Sequence, residues 1–139
     1  EKIKKELGYQ VVFPMHPRTI SKSKNNKMLK DTIVISPLGF YDWNFLLKNS
    51  ACVLSDSGTA AEEGLYYKVP NISLRMATER PETVESGGTI VSGLDSNNII
   101  ESIKLVINQE WTANYDLERN HSPSSVVINT LRTQLTNYF

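Results

Sequence analysis

Residues 55–63 read Ser-Asp-Ser-Gly-Thr-Ala-Ala-Glu-Glu and directly follow a short apolar run at residues 51–54. A strand that leads through small hydroxyl residues and a glycine into a helix leaves backbone N–H groups unpaired at the positive end of the helix dipole. Such a turn is suited to hold a phosphate group. The same residues also fit a capping box, in which Thr59 and Glu62 satisfy each other's backbone N–H groups without a ligand. This segment alone leaves both interpretations open.

Glu63 is a candidate ligand residue on the helix that this turn begins. It lies four residues after Thr59, so the two side chains share a helix face. A carboxylate is a good acceptor for the ribose diol of a nucleotide whose phosphate lies over the turn. A plain surface glutamate is the alternative interpretation of Glu63.

Two further candidates lie in loops. Arg80 can bind phosphate or the negative charge on a leaving group, although its local sequence favours a surface ion pair with Glu79 or Glu82. His16, which follows the first apolar run, can hydrogen-bond a phosphate or act as an acid or base, or else cap the neighbouring backbone. Local sequence does not choose between these roles.

An aromatic cluster lies in the segment after the second apolar run. Phe40, Tyr41 and Trp43 are suited to stack on a nucleotide base, or to anchor the helix that they precede. We expect at least one of them to contribute to the core.

The spacing of the apolar runs predicts the elements that position these residues. The runs start about twenty residues apart, which is the length of one strand, one helix and two short loops. They lie at residues 11–13, 32–35, 51–54, 71–74 and 89–91. Most are apolar on both faces, as in parallel strands covered by helices on each side. The sequence therefore predicts an α/β fold with a Rossmann-like, doubly wound parallel sheet.

The carboxyl ends of parallel strands meet at one edge of such a sheet, where ligands bind. The loops after the first four predicted strands would bring together a histidine, the aromatic cluster, the phosphate turn and two arginines. This combination suits a nucleoside diphosphate.

Composition excludes several other classes of function. The 139 residues carry 15 basic and 15 acidic side chains, so no overall field favours nucleic acid or an anionic membrane. The apolar runs are too short to cross a bilayer, and no leader precedes them, which predicts a cytoplasmic protein. Cys52 is the only cysteine, so we expect it in the core and expect no cysteine-based metal site. We expect no metal ion or cofactor at the site. Residues 1–8 read as the end of a helix, so we expect a longer parent protein.

Together these motifs resemble the non-hydrolysing UDP-N-acetylglucosamine 2-epimerase family. The specific signature is Ser-Asp-Ser-Gly at residues 55–58, then Glu-Glu at 62–63 and Glu-Arg-Pro-Glu at 79–82. The resemblance implies the two-domain, glycosyltransferase-B-type fold with twin Rossmann-like domains. Residues 1–139 would form its UDP-binding C-terminal domain, with 112–139 as a helical extension.

The resemblance also implies a role for each candidate residue. His16 would contact the diphosphate, and the loop from Phe40 to Trp43 would recognise uracil, with Trp43 at the family's aromatic position. Glu63 would bind the ribose hydroxyls. The remaining residues would hold phosphate or, in the case of Arg80, reach the diphosphate or sugar: Ser57, Gly58, Thr59 and Arg80. The family commonly has a second glycine where this chain has Thr59, which narrows the backbone approach and adds a hydroxyl.

The implied reaction is epimerisation of a UDP-N-acetylhexosamine at C2 by elimination and re-addition of UDP. The family's essential acids lie in the N-terminal domain, so this chain is expected to bind UDP but to have no activity alone. A homodimer of the full-length enzyme is expected. Residues 37–42 look closest to the bacterial branch that forms UDP-N-acetyl-L-fucosamine for surface polysaccharides. The alternatives are the donor-binding domain of a glycosyltransferase with the same fold, or a non-catalytic α/β domain.

Overall fold

The computed structural model describes residues 1–22, 31–108 and 123–136. Within these ranges, strands and helices alternate along the chain. The strands are β1 (Val11–Pro14), β2 (Thr32–Ile35), β3 (Val53–Ser55), β4 (Asn71–Ser73) and β5 (Thr89–Val91). The helices are α1 (Pro17–Lys22), α2 (Phe40–Lys48), α3 (Gly58–Tyr67), α4 (Pro81–Glu85), α5 (Ser96–Asn108) and α6 (Pro123–Thr136). A short helical segment, Ile3–Leu7, precedes β1.

The strands of the described ranges form two parallel sheets, one of β1 and β2 and one in the order β3-β4-β5. Val11 pairs with Thr32, and Val53, Asn71 and Thr89 lie side by side across the second sheet. The prediction of a parallel α/β fold is confirmed. The sequence predicted a single sheet. In these ranges, no ladder of hydrogen bonds joins β1 or β2 to β3, so the strands form two sheets.

Helices cover the three-stranded sheet on both faces. On one face, Val53 packs with Leu47 of α2 and Ala60 of α3. On the other face, Ile72 packs with Ile103 and further apolar residues of α5. Successive residues of a strand point to opposite faces of the sheet. A strand that is apolar at every position can therefore pack against helices on both faces.

Cys52 lies immediately before β3 and packs against the cluster around Ile72 and Ile103, in line with its predicted place in the core. The side chain is half-buried. Burial raises the pKa of the Cys52 thiol to about 11, because the thiolate would lose its hydration there.

Helix α3 is fixed closely to the start of β4 at its C-terminal end. A Cβ atom on Gly64 would lie 2.8 Å from the carbonyl oxygen of Val69, so only glycine permits this approach. Lys68 adopts a left-handed conformation, with φ 58°, that ends the helix and returns the chain to the sheet. These contacts hold α3 against the sheet while its N-terminus follows the end of β3.

The predicted ends of the chain are described in part. Gly8 closes the segment Ile3–Leu7 in a left-handed conformation, with φ 74°, in line with the prediction that residues 1–8 end a helix. Pro123 begins α6 within the predicted helical extension at residues 112–139, of which residues 112–122 and 137–139 lie outside the described residues. Among the helices that the structure describes, none combines the length and apolar character that a membrane span requires.

Candidate functional site

A cavity of about 130 Å³ lies beside the N-terminus of α3. The loop that joins β3 to α3 forms one wall, and the loop between β4 and α4 forms another. The third wall is the face of the sheet at Asn71, Ser73 and Thr89. The cavity therefore lies where the exits of neighbouring parallel strands meet, as the sequence predicted for a ligand site.

The backbone of the turn at the start of α3 presents hydrogen-bond donors. Ser57 is the N-cap residue, and its side chain makes no capping hydrogen bond. The first N–H group of α3 that donates a hydrogen bond is that of Ala61, which donates to the carbonyl oxygen of Ser57 at 3.4 Å. Among the described residues, none accepts a hydrogen bond from the N–H groups of Gly58, Thr59 or Ala60. Three donors at the positive end of the helix dipole remain available to an anion.

The capping-box interpretation of this turn is wrong. A capping box joins the N-cap residue to the residue three positions later. Helix α3 begins at Gly58, so Thr59 is already the second helical residue and Glu62 lies too far along the helix to complete a box. The carboxylate of Glu62 binds Arg80 instead.

Arg80 joins the loop before α4 to the phosphate turn. Its Nε lies 2.6 Å from Oε1 of Glu62, so the predicted surface pair with Glu79 or Glu82 is not formed. Glu79 instead lies 3.6 Å from Nη1 of Arg75. A Cβ atom added to Gly58 would lie 3.5 Å from both Cγ and Nε of Arg80. The guanidinium group is thus held beside the unpaired N–H groups of α3.

Glu63 and Trp43 are in direct contact. Nε1–H of Trp43 donates a hydrogen bond to Oε2 of Glu63 at 2.6 Å, across 20 positions of sequence. The Trp43 ring also packs against the core cluster between α2 and α3, as predicted for at least one residue of the aromatic cluster. The residues that the resemblance assigns to ribose and to uracil are therefore neighbours.

The other two aromatic residues of the cluster lie on the surface. Phe40 and Tyr41 are 69% and 86% exposed. Their rings contact each other edge to face, with 5.6 Å between the ring centroids. Their apolar surface at the start of α2 is available to a planar ligand.

His16 is not brought to the cavity. It lies exposed just after β1, and its Nδ1 atom accepts a hydrogen bond from the backbone N–H of Arg18 at 3.2 Å. This is the backbone-capping role that the sequence offered as an alternative. A neutral ring with an accepting Nδ1 carries its proton on Nε2, which is then a donor.

A group of buried polar residues lines the cavity on the sheet side, and it was not predicted from the sequence. Nδ2 of Asn71 lies 3.4 Å from Oγ1 of Thr89, and its buried Oδ1 has no partner among the described residues. Ser73 is also buried. Asparagine and serine within a strand predicted to be buried on both faces were the available signal, because such residues need polar partners.

No group of three or more His, Cys, Asp or Glu side chains in the described ranges is arranged to hold a metal ion. The donors at the cavity are backbone N–H groups, hydroxyls and two guanidinium groups, and these bind anions. A parallel α/β fold with such a turn at a strand exit is typical of Rossmann-like nucleotide-binding domains.

The chain belongs to the UDP-N-acetylglucosamine 2-epimerase family, whose sequence pattern matches residues 1–123. The enzyme of that name from Methanocaldococcus jannaschii is 38% identical over 109 residues, which are 72% of this chain and 29% of the relative. The enzyme of the same name from Yersinia pestis is 31% identical over 123 residues, which are 86% of this chain and 32% of the relative. This chain thus spans about a third of the length of the curated relatives that it matches.

Solved structures show the same fold. The M. jannaschii UDP-GlcNAc 2-epimerase in complex with UDP-GlcNAc and UDP matches with a TM-score of 0.74 and 34% identity, over 82% of this chain and 34% of that chain. The S. aureus MnaA–UDP structure matches with a TM-score of 0.66 and 31% identity, over 81% of this chain and 32% of that chain. The parallel α/β fold is therefore that of the glycosyltransferase-B-like epimerases.

Proposed function

We propose that this chain binds the UDP moiety of a UDP-N-acetylhexosamine within an enzyme that epimerises the sugar at C2. The observation that carries the proposal is the set of three unpaired N–H groups at the start of α3 with Arg80 held beside them. In a member of this family, that arrangement suits the diphosphate. Family membership favours this function over the glycosyltransferase and the non-catalytic alternatives.

The proposed reaction eliminates UDP across C1–C2 and adds it back. A base removes the proton from C2 while the bond between C1 and the diphosphate oxygen breaks, which gives a 2-acetamidoglucal and UDP. Addition of UDP to C1 then returns a proton to C2 on the opposite face. The departing diphosphate gains negative charge in the transition state. Preorganised hydrogen-bond donors that face this charge stabilise the transition state and so lower the activation barrier of the elimination.

The residues of this chain supply the leaving-group half of the mechanism. The N–H groups of Gly58 and Thr59, the exposed hydroxyls of Ser57 and Thr59, and the Arg80 guanidinium would neutralise the departing diphosphate. The resemblance also assigns His16 to the diphosphate, although His16 does not line the cavity in the described structure. The acid and base that act at C2 are assigned to the N-terminal domain of the parent enzyme, so we expect no turnover by this chain alone.

The nucleoside would lie beyond the phosphate turn. Glu63 would accept hydrogen bonds from the ribose hydroxyls, because its carboxylate lies one helical turn beyond Thr59. Uracil would bind at the first turn of α2, from Phe40 to Trp43, where the Phe40 and Tyr41 rings are exposed. These assignments rest on the resemblance and on the proximity of Trp43 to Glu63.

Finer assignments extend the same proposal. Residues 1–139 would be the C-terminal domain, with 112–139 as its helical extension, and the parent enzyme would be a cytoplasmic homodimer. The loop at residues 37–42 supports a substrate of the UDP-N-acetyl-L-fucosamine-forming branch, and with it surface polysaccharide synthesis in a bacterium. The curated relatives include archaeal as well as bacterial enzymes.

Isothermal titration of the chain with UDP tests the proposal. Arg80→Ala should weaken UDP binding by about 10- to 100-fold, because a hydrogen bond to a charged group contributes about 1.5–3 kcal/mol. Arg132→Ala on α6, which does not line the cavity, is the matched control and should leave the affinity within about twofold. A folded protein that gives no heat with UDP would contradict the proposal, as would equal losses in the two variants.

A further inference from the structure

The hydrogen bond between Trp43 and Glu63 joins two helices that the sequence separates. Trp43 lies in α2 and Glu63 in α3, and both side chains are half-buried. The bond is 2.6 Å long and runs from a neutral N–H donor to a carboxylate oxygen. Hydrogen bonds to ionised acceptors are shorter and stronger than those between neutral groups, so this contact is strong enough to fix a side chain.

The two partners differ in freedom of movement. The Trp43 ring packs against the core cluster that Leu47, Val53, Ala60 and Val69 form. Glu63 is a long side chain with several rotatable bonds, and holding it in one conformation costs up to about 2 kcal/mol of entropy. The tryptophan is therefore the fixed partner, and its N–H determines the orientation of the glutamate.

The bond uses only part of the acceptor capacity of Glu63. An ionised carboxylate accepts through two oxygens, and the indole occupies Oε2. The neighbouring carboxylate, Glu62, is bound by Arg80. Two consecutive glutamates thus have different partners. Among the described residues none donates to Oε1 of Glu63, which leaves that atom for a hydroxyl donor.

We propose that Trp43 is a positioning residue that orients the Glu63 carboxylate toward the ribose diol, and so makes the site select ribonucleoside over 2′-deoxyribonucleoside diphosphates. This inference rests on the proposed function. It gives Trp43 a role through Glu63 that is separate from any contact of its ring with the base. A phenylalanine at position 43 would keep an aromatic ring but would lack the N–H donor.

The test compares UDP with 2′-deoxy-UDP in calorimetric titrations of wild type and Trp43→Phe. Wild type should bind UDP about 10-fold more tightly than 2′-deoxy-UDP, because one hydrogen bond from the 2′-hydroxyl to a carboxylate is lost. In Trp43→Phe, UDP should bind about 3- to 10-fold more weakly while 2′-deoxy-UDP changes by less than twofold. The preference for the ribonucleotide therefore shrinks.

Tyr67→Phe is the matched control, because Tyr67 packs against the same core cluster and also loses one polar group. It should keep the wild-type preference. If Trp43→Phe does not fold, a benzothienyl alanine at position 43 keeps the shape of the indole without the N–H and provides the same comparison. The Trp43 indole N–H resonance should shift on Glu63→Gln and remain in place on Glu62→Gln.

Each result decides the inference. An unchanged preference in Trp43→Phe overturns it, and so does an equal loss for the two nucleotides, which would place the indole on the base alone. A wild-type chain that does not bind UDP refutes the proposed function and, with it, this inference. UDP binding that weakens in Arg80→Ala but keeps its ribose preference in Trp43→Phe refutes the inference alone.

Discussion

Gly58→Ala separates the binding role of the phosphate turn from its role in folding. Gly58 is the first residue of α3 and lies beside the Arg80 side chain. The added methyl group would lie 3.5 Å from Cγ and Nε of Arg80, which is ordinary van der Waals contact. Alanine is the better helix former, by up to about 1 kcal/mol in a helix interior. We therefore expect the free energy of unfolding to stay constant or to rise slightly.

Gly58→Ala should weaken the binding of UDP, although it leaves the stability of the fold unchanged or slightly higher. The methyl group would lie on the first residue of α3 in contact with Arg80, and we expect it to obstruct a phosphate oxygen there. Loss of one hydrogen bond to a charged group costs about 1.5–3 kcal/mol, which corresponds to about 10- to 100-fold in affinity. Urea unfolding measures the first quantity, and calorimetric titration with UDP measures the second.

Gly39→Ala is the matched control for this substitution. Gly39 is the N-cap residue of α2, has φ −70°, and has open space where a Cβ would lie. Its substitution should change UDP affinity by less than about twofold, since one exposed methyl group meets no phosphate donor. Wild-type affinity in Gly58→Ala would refute the placement of the phosphate. A loss confined to Gly39→Ala would instead place it at the N-terminus of α2.

Two further predictions concern stability. Burial raises the pKa of the Cys52 thiol from near 9 in the unfolded chain to about 11 in the folded protein. As pH rises from 9 to 11, the unfolded chain loses this proton before the folded protein does. The free energy of unfolding therefore falls over this range. Urea unfolding of wild type relative to Cys52→Ala should show a loss of about 1 kcal/mol between pH 8 and pH 10, and a pH-independent difference would contradict it. Ile103→Ala should lower the free energy of unfolding by about 2–5 kcal/mol. Leu105→Ala, at a position 49% exposed on the same helix, should lower it much less, and equal losses would contradict the described core.

Much of the fold could be predicted from local patterns. The apolar runs at residues 11–13, 32–35 and 89–91 became β1, β2 and β5, because unbroken apolar segments of this length suit buried strands. The turn after β3 was also recognisable, since small residues before a helix have few other uses. The capping box placed the N-cap of α3 at Thr59, two residues later than the observed N-cap Ser57, so Thr59 and Glu62 cannot form the box.

The amino-acid sequence by itself determined the parallel α/β class, the helix-starting turn at Ser57 and the family, because spacing and residue type act over a few neighbouring positions. The partners of Glu62 and Glu63 were decided only by tertiary structure. Arg80 and Trp43 reach these carboxylates from other loops and helices, and such contacts depend on how α2, α3 and the loop before α4 pack on the sheet. Local secondary-structure propensity carries no information about that packing. A charged or polar side chain can form a hydrogen bond or an ion pair with any suitable group that the fold brings within reach.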